Sequence, residues 1–300
     1  MDSLTKHPDI VVVISEIVLS LYPILIKLVP TDLGTQIFAR MGTFAALSVP
    51  FLSLQDFQSI LEAPLATALK GLINLTHVET SYTAFKNLSA GNAMALFYTY
   101  PIFNLIAGYF FFGETISAFQ FFWFFVAMVG SFLLIQDELT VKLEETKEET
   151  EAKKKISAED KLKGIVAAIS AAITETVIYV LFKNEKALTP YPQTLQLYGG
   201  GLLWYLLYKF VKKEEVLTET KATNWASLLF FNGLIGFFGY TLRFWAIPRL
   251  SVYLFSLLSF IGVFSAYLFG AFFAKEIPTV QSLVGGSLIA FAIGVIRPEL

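Results

Sequence analysis

Ten long apolar stretches constrain the fold of this 300-residue chain more than any other feature of its sequence. Each holds about 20 mostly apolar residues, the length that an α-helix needs to cross the hydrocarbon core of a bilayer. The first half of the chain contains stretches 10–28, 33–52, 67–86, 92–112 and 117–135, and the second half contains 164–182, 192–211, 225–246, 251–274 and 279–296. The stretches do not alternate apolar and polar residues as outer-membrane strands do. They therefore predict an all-α integral membrane protein with ten transmembrane helices.

Composition argues against the other classes of protein. Hydrophobic residues make up 55% of the chain and charged residues 15%, whereas typical soluble domains carry about 25% charged residues. A soluble fold of this size could not bury so much apolar surface. The chain contains no cysteine and has a formal net charge of -2. These values exclude a disulfide-stapled domain, a thiolate metal site and a basic surface for nucleic acid.

A charged segment, 136–163, separates the fifth apolar stretch from the sixth. It contains 7 lysines and 9 acidic residues but no glycine or proline. Opposite charges recur four residues apart, as in Glu138 and Lys142, which favours a solvated helix. We interpret this segment as a linker between a first five-helix repeat, 1–135, and a second five-helix repeat, 164–300.

The two halves resemble each other at an offset near 160 residues. Asn74 matches Asn232, and Tyr82 matches Tyr240, in both cases at an offset of 158. Because each half holds an odd number of spans, the second half must enter the membrane from the opposite side. Inverted-topology repeats of this kind are typical of secondary transporters, which bind substrate near the midplane between the repeats. The repeat therefore predicts transport by alternating access.

Several motifs resemble those of EamA-type transporters in the drug/metabolite transporter superfamily. Pro101–Glu114 resembles the P-x12-E motif that closes the family's fourth helix, and 82–91 resembles its A-L-x-x-x-S-A stretch. Arg40 and Lys27 resemble basic residues of the second and first helices. The second half departs from the pattern, since Val263 stands where the proline would recur. The resemblance implies ten helices around a central cavity and movement of a small metabolite without ATP hydrolysis; we also expect Pro101 to kink its helix.

Ionisable groups deep within apolar stretches are candidates for function, because they are costly in a bilayer and usually face a cavity. Five lie away from the ends of the predicted helices: Glu16, Arg40, His77, Glu79 and Glu175. We predict a Glu16–Arg40 pair, with Arg40 holding a substrate carboxylate or phosphate. The alternative is that Arg40 extends to the membrane surface or pairs for structural reasons.

His77 and Glu79 cannot share one face of a helix, because two residues correspond to about 200° of rotation. Asn74 lies on the face of His77, and Tyr82 lies on the face of Glu79. We expect one set to face the cavity and the other an adjacent helix. Desolvated His and Glu side chains can exchange protons near neutral pH, which indicates substrate specificity or proton coupling. Interhelical hydrogen bonding is the alternative.

The remaining candidates for substrate binding or coupling lie on helices related by the repeat. Tyr179 follows Glu175 by one turn, and a carboxylate pair formed by Glu16 and Glu175 would suit a cationic group or a proton. The other candidates are Asn74, Asn232 and Tyr240. A purely structural role, as an interhelical hydrogen bond or as aromatic packing, remains the alternative for each.

The sequence therefore predicts a secondary-active exporter of a small polar, amino-acid-like metabolite in the plasma (inner) membrane. Whether protons are coupled to transport is left open. An exchanger of nucleotide sugars or sugar phosphates is the alternative within the superfamily, but it should line its cavity with Lys and Arg, and here Arg40 is the chief deep cation. A membrane-embedded enzyme is less favoured, because the H-E-x-x-H and G-x-S-x-G motifs are absent.

The expected partners are the lipid bilayer and a small-molecule substrate, with protons as an open addition and no nucleic acid. We expect no cofactor, since the sequence has no P-loop and no metal motif. Both a monomer and a homodimer remain open. Counting basic residues in the loops favours termini outside, whereas the resemblance implies termini inside.

Overall fold

The computed structural model describes residues 6–22, 29–88, 90–148, 158–184, 189–218, 220–274 and 280–296. Within these ranges the regular structure is helical and no strand occurs. The first half forms α1 (Pro8–Leu19), α2 (Leu33–Ser48), α3 (Leu54–Glu62), α4 (Pro64–Asn87), α5 (Ala90–Phe97), α6 (Tyr100–Phe112) and α7 (Ala118–Glu148). The second half forms α8 (Ala158–Lys183), α9 (Tyr191–Lys212), α10 (Ala222–Phe230), α11 (Phe238–Ala246), α12 (Val252–Ala274) and α13 (Val280–Ile296). The prediction of an all-α fold is confirmed.

Two of these helical regions are both long and apolar enough to cross a bilayer by length and composition. They are 159–183, with a mean hydropathy of 2.1, and the continuous helical stretch 222–249, with a mean hydropathy of 1.3. Shorter apolar helices cover 100–112, 118–133, 252–266 and 283–295. In the stretch 222–249 a π-helical segment, Phe231–Phe237, joins α10 to α11.

The fourth apolar stretch is two helices instead of one. The chain turns at Tyr98 and Thr99, between α5 and α6, and Pro101 occupies the first turn of α6. Proline is tolerated there because the first helical N–H groups have no intrahelical partner. The structure thus places a complete break just before Pro101, where the sequence analysis expected a kink within one helix.

Two further features were not expected in this form. The short helix α3 lies between two apolar stretches and begins with a capping box, in which Ser53 and Asp56 each bond the other's backbone N–H. Helix α7 continues to Glu148, well into the charged segment. The described part of that segment is therefore helical, and residues 149–157 lie outside the described ranges.

Helices of the first half pack mainly against helices of the second. Helix α4 packs against α8 and α9, α1 packs against α11 and α12, and α7 packs against α13. Gly71 of α4 and Gly200 of α9 allow a very close crossing, because a Cβ atom at Gly71 would lie 2.3 Å from the Gly200 carbonyl carbon. The buried side chains between the halves include most of the polar candidates.

Two apolar crevices of the described surface lie away from those polar residues. They have volumes of about 620 and 710 Å³ and flank α6 on the outside of the bundle. Phe110 lines both and is 74% exposed. Such apolar surface suits contact with lipid chains. The chemistry of the site is carried instead by buried side chains between the two halves.

Candidate functional site

The Arg40 side chain of α2 is 2% exposed and lies inside a cage of aromatic rings. Its guanidinium carbon is 4.7 Å from the centroid of the Tyr22 ring and 4.9 Å from that of Tyr240. The complete aromatic cage consists of Tyr22, Phe44, Tyr82, Tyr198 and Tyr240. Because the faces of aromatic rings carry partial negative charge, this cage stabilises the buried cation without neutralising it.

The Arg40 cation retains capacity to bind an anion. Among the described residues no carboxylate forms an ion pair with it. One guanidinium nitrogen, Nη2, donates a 3.4 Å hydrogen bond to the Tyr198 hydroxyl, and Nε has no hydrogen-bond partner in the described part of the chain. A guanidinium carries five N–H donors and matches a carboxylate in bidentate geometry. The cage is therefore suited to a carboxylate once a path to it opens.

The repeat-related asparagines lie beside the aromatic cage. Asn232 accepts a 2.6 Å hydrogen bond from the Tyr22 hydroxyl, and its own amide donates to the Leu228 carbonyl. Asn74 contacts the sulfur of Met41, the residue after Arg40, at 3.6 Å. Both side chains are 1% exposed. The two asparagines thus hold residues adjacent to the cation.

A second buried cluster contains most of the remaining ionisable candidates. Arg243 of α11 forms two ion pairs, from Nη1 to Glu16 Oε1 at 2.6 Å and from Nη2 to Glu175 Oε1 at 2.7 Å. The Tyr98 hydroxyl donates to the other Glu16 oxygen at 3.1 Å. One cation is therefore shared by two carboxylates, and all three charged groups are nearly inaccessible to solvent.

His77 of α4 extends this cluster. Its Nε2 atom lies 3.3 Å from Glu175 Oε2. On the opposite side of the ring, Nδ1 lies 3.2 Å from the Ala171 carbonyl oxygen and 3.2 Å from the Thr174 hydroxyl oxygen. The series Glu16–Arg243–Glu175–His77 is called the charge chain below. Its Glu16–Arg243 and Glu175–His77 contacts each join the first half of the protein to the second.

Helix α11 connects the aromatic cage to the charge chain, because Tyr240 and Arg243 lie one turn apart on it. The preceding π-helical segment carries Asn232 and Gly236. A Cβ atom at Gly236 would lie 2.6 Å from the Tyr22 hydroxyl, so glycine admits this ring to the cage. π-Helical segments within α-helices occur frequently at functional sites.

The match to a protein family now identifies the class of protein. A family model described as the EamA-like transporter family matches residues 7–136 and 162–297, which together make up most of the chain. The chain belongs to this family. EamA-like proteins are membrane transporters of the drug/metabolite transporter superfamily, not enzymes, so the resemblance seen in the sequence is confirmed.

A solved crystal structure shares the fold of this EamA-like protein. The match has a TM-score of 0.70 and covers 98% of this chain and 98% of the other, at 13% sequence identity. At that identity the likeness shows the fold alone. No curated protein matches the sequence.

The structure of this EamA-like protein corrects two expectations about the deep ionisable groups. The predicted Glu16–Arg40 pair is wrong, because Glu16 pairs with Arg243 and Arg40 lies in the aromatic cage. Glu79 is not brought to the site, since its side chain is exposed on the outer surface of α4. Its expected neighbour Tyr82 turns inward to the cage and is 2% exposed.

Other predicted residues lie near the site without contacting the cage, or lie outside the described residues. Tyr179 is buried one turn after Glu175 and packs on Phe255, with no contact to the aromatic cage among those described. Lys27, which resembles a basic residue of the family's first helix, lies outside the described residues. The side chains of the cage and of the charge chain are buried between the two halves, where the central cavity was expected.

Arg243 is the functional candidate that sequence reasoning missed. It lies three residues before the end of the apolar stretch 225–246, where a cation is expected to reach the membrane surface. The structure shows that it is 3% exposed. The sequence did contain one signal for Arg243: it lies one helical turn after Tyr240, which was already a candidate.

Contacts between the halves also occur at both ends of the site. At one end Glu114 accepts a 2.7 Å hydrogen bond from the Val252 backbone N–H and pairs with Lys183 at 3.4 Å. Lys183 also donates to the Leu250 carbonyl. We call this group the Glu114 clasp. It joins the end of the P-x12-E motif to α8 and to the start of α12.

At the other end, Asp32 accepts hydrogen bonds from the Thr35 backbone N–H at 2.9 Å and from the hydroxyls of Thr35 and Thr218. This group is called the Asp32 clasp. Partial burial acts to raise the pKa of the Asp32 carboxyl, but these hydrogen bonds outweigh it and hold the pKa below its usual range. The carboxylate therefore stays ionised at neutral pH and keeps its capacity to accept these hydrogen bonds.

Proposed function

We propose that this protein is a secondary-active transporter that exports a small polar, amino-acid-like metabolite across the plasma (inner) membrane by alternating access. The supporting observation is the Arg40 guanidinium, buried without a carboxylate partner among the described residues, at the interface between two similar halves. We infer that the halves are inverted five-helix repeats within a ten-helix bundle. Their relative rocking would expose the site to each side in turn.

The sum of the buried charges favours a zwitterion over a multiply charged anion. Arg40 and Arg243 contribute two positive charges, and Glu16 and Glu175 contribute two negative ones. A substrate with no net charge leaves this balance unchanged, with its carboxylate at Arg40 and its ammonium toward the acidic groups. Burying uncompensated charge is costly.

The phosphate-exchanger alternative gains little from the structure. A second deep arginine, Arg243, is present, but Glu16 and Glu175 already neutralise it. Among the described residues, a phosphate or diphosphate group would therefore meet a single guanidinium without a carboxylate partner, that of Arg40. Two or more unpaired cations are expected for such a group.

Counterflow in proteoliposomes tests the proposal. Purified protein is reconstituted, and exchange is measured for radiolabelled amino acids, amines and sugar phosphates. We expect exchange of amino acids, near-complete loss of that exchange in Arg40→Met, and partial activity in Arg40→Lys, because lysine retains the charge but not the planar fork. Arg249→Met removes an exposed arginine and serves as the matched control. Exchange of sugar phosphates alone, or equal activity of Arg40→Met and the control, would contradict this assignment.

The direction of transport requires a separate measurement. Intact cells that express the protein are loaded with the amino acids that exchange in proteoliposomes, and their efflux is followed. An exporter should release them faster than cells carrying Arg40→Met. Uptake without enhanced efflux would show the opposite direction.

A further inference from the structure

The contacts of the His77 ring determine which of its nitrogens carries a proton. Nδ1 faces the Ala171 carbonyl oxygen, which can only accept a hydrogen bond. The Thr174 hydroxyl donates its own proton to the Ser170 or Ala171 carbonyl, at 2.9 and 3.0 Å, so toward Nδ1 it too presents an acceptor. Both neighbours of Nδ1 are satisfied only if Nδ1 carries hydrogen.

A neutral His77 in this tautomer would present a lone pair to a carboxylate. Its Nε2 atom is 3.3 Å from Glu175 Oε2, and an ionised carboxylate has no hydrogen to donate. Two acceptors facing each other in a buried site repel, whereas one proton between them converts the contact into a charge-assisted hydrogen bond. We propose that the His77–Glu175 pair is the coupling-ion site of the protein and binds one proton, held by either Nε2 or Oε2.

This proton also neutralises the charge chain. Glu16, Arg243 and Glu175 carry a net charge of -1, and one proton on the His77–Glu175 pair brings the charge chain to zero. With Arg40 included, these buried groups are neutral without the proton and carry +1 with it, so the proton and the ammonium group of a zwitterionic substrate would occupy the acidic groups in turn. The other charged or titratable groups that act on the pair are Arg40, Tyr100, Tyr198 and Tyr240. The three tyrosines are neutral at physiological pH, whereas Arg40 carries a positive charge. It disfavours a second proton, so the site is suited to one.

The position of the His77–Glu175 pair explains how proton binding can be coupled to relative movement of the two halves. This coupling rests on the proposed function. His77 belongs to the first half and Glu175 to the second. With the proton bound, the pair holds the halves together beside the Arg243–Glu16 contact. Once the proton leaves, the two lone pairs repel and the contact favours separation. Release and rebinding from opposite sides would then drive the rocking that moves substrate.

Nitrogen-15 NMR of the full-length protein tests the proton site without any substrate. His7 is the only other histidine in the sequence, so His7→Gln leaves the His77 ring as the single labelled histidine. We expect Nδ1 to be protonated and Nε2 to share a hydrogen-bonded proton at neutral pH. In Glu175→Gln the amide can donate to Nε2, so the ring should become neutral while Nδ1 keeps its proton. Glu79→Gln removes an exposed carboxylate on the same helix and should leave the spectrum unchanged.

The opposite tautomer would overturn the proposal. A ring protonated only at Nε2, donating to an ionised Glu175 and accepting at Nδ1 from Thr174, contains no additional proton. This outcome is independent of transport, because it is observed in the resting protein. It therefore separates failure of the proton site from failure of the proposed function.

Transport under an imposed pH gradient tests the coupling. Proteoliposomes are given a mixture of radiolabelled zwitterionic amino acids, and gradient-driven accumulation is compared with exchange at equal pH. We expect accumulation by the wild-type protein and by Glu79→Gln, and loss of gradient dependence in His77→Gln and Glu175→Gln. Wild-type exchange with no response to the gradient would overturn the coupling while leaving the transport assignment intact.

Discussion

Individual side chains create the unusual electrostatics of this site. Arg40 and Arg243 are both buried arginines, but their surroundings differ. Aromatic rings surround the first, and two carboxylates bind the second. Aromatic faces stabilise a cation while leaving its charge available, whereas carboxylates cancel that charge. The two arginines therefore differ in function: Arg40 can bind an anion, whereas the charge of Arg243 is already neutralised.

The charge chain predicts unequal costs for removing its members. Arg243→Met leaves two buried carboxylates without a cation, and breaking a buried ion pair in this way typically costs about 3–5 kcal/mol. Glu16→Gln still leaves Arg243 paired with Glu175, and the new amide can accept from Tyr98. We expect Arg243→Met to lower the unfolding temperature of the detergent-solubilised protein far more than Glu16→Gln. Equal destabilisation would show that the shared-cation arrangement does not determine stability.

Helices position these side chains through close crossings and interruptions. The α4–α9 crossing is made possible by Gly71 and Gly200, and it brings His77 of α4 and Tyr198 of α9 toward the centre of the bundle. The break at Tyr98 and Thr99 lets the Tyr98 hydroxyl turn toward Glu16. The crossing and the turn thus each position particular side chains of the site.

The α4–α9 crossing should be sensitive to a single methyl group. The Cβ atom of Gly71→Ala would lie 2.3 Å from a backbone atom of Gly200, which cannot move without shifting α9. We expect a loss of about 1–3 kcal/mol in the free energy of unfolding, measured by denaturant titration in detergent. Gly42→Ala is the matched control, because nothing lies within 4 Å of its Cβ position and alanine favours a helix. Similar stability of the two variants would contradict the close crossing.

Contacts between the two halves occur at both ends of the molecule. The Glu114 clasp and the Asp32 clasp lie at opposite ends of the helices, and the aromatic cage and charge chain lie between them. Both clasps are formed in this structure, on either side of the buried site. Alternating access requires that one clasp open while the other remains closed.

Opening of the Glu114 clasp can be detected with a single cysteine, because the native sequence contains none. Asn104 is fully buried on α6, the helix that leads to Glu114, and its amide has no hydrogen-bond partner among the described residues, so Asn104→Cys provides a buried thiol on that helix. We expect Glu114→Gln to increase the rate at which this thiol reacts with a water-soluble maleimide. Glu62→Gln changes an exposed carboxylate on α3 and should leave the rate unchanged. No increase in Glu114→Gln would show that the clasp does not control access.

The sequence by itself determined the class of this protein and its all-helical fold. Apolar stretches of about 20 residues depend only on local composition, so the fold class could be read from them, and the short motifs of the first half indicated the family. It also identified the rare ionisable groups, because burial of charge in a bilayer is costly wherever it occurs. The break before Pro101 and the helix α3 were less visible, since they depend on caps and turns.

Only the tertiary structure decided which of those groups meet. Helical periodicity gives the direction of a side chain around its own axis, but partners depend on how distant helices cross. Glu16 therefore found Arg243, 227 residues away, instead of Arg40, and Glu79 turned outward while Tyr82 turned inward. The His77 tautomer likewise depends on a carbonyl of α8. Pairing across the two halves depends on how the helices pack. That packing neutralises Arg243 with two carboxylates and leaves Arg40 without one among the described residues.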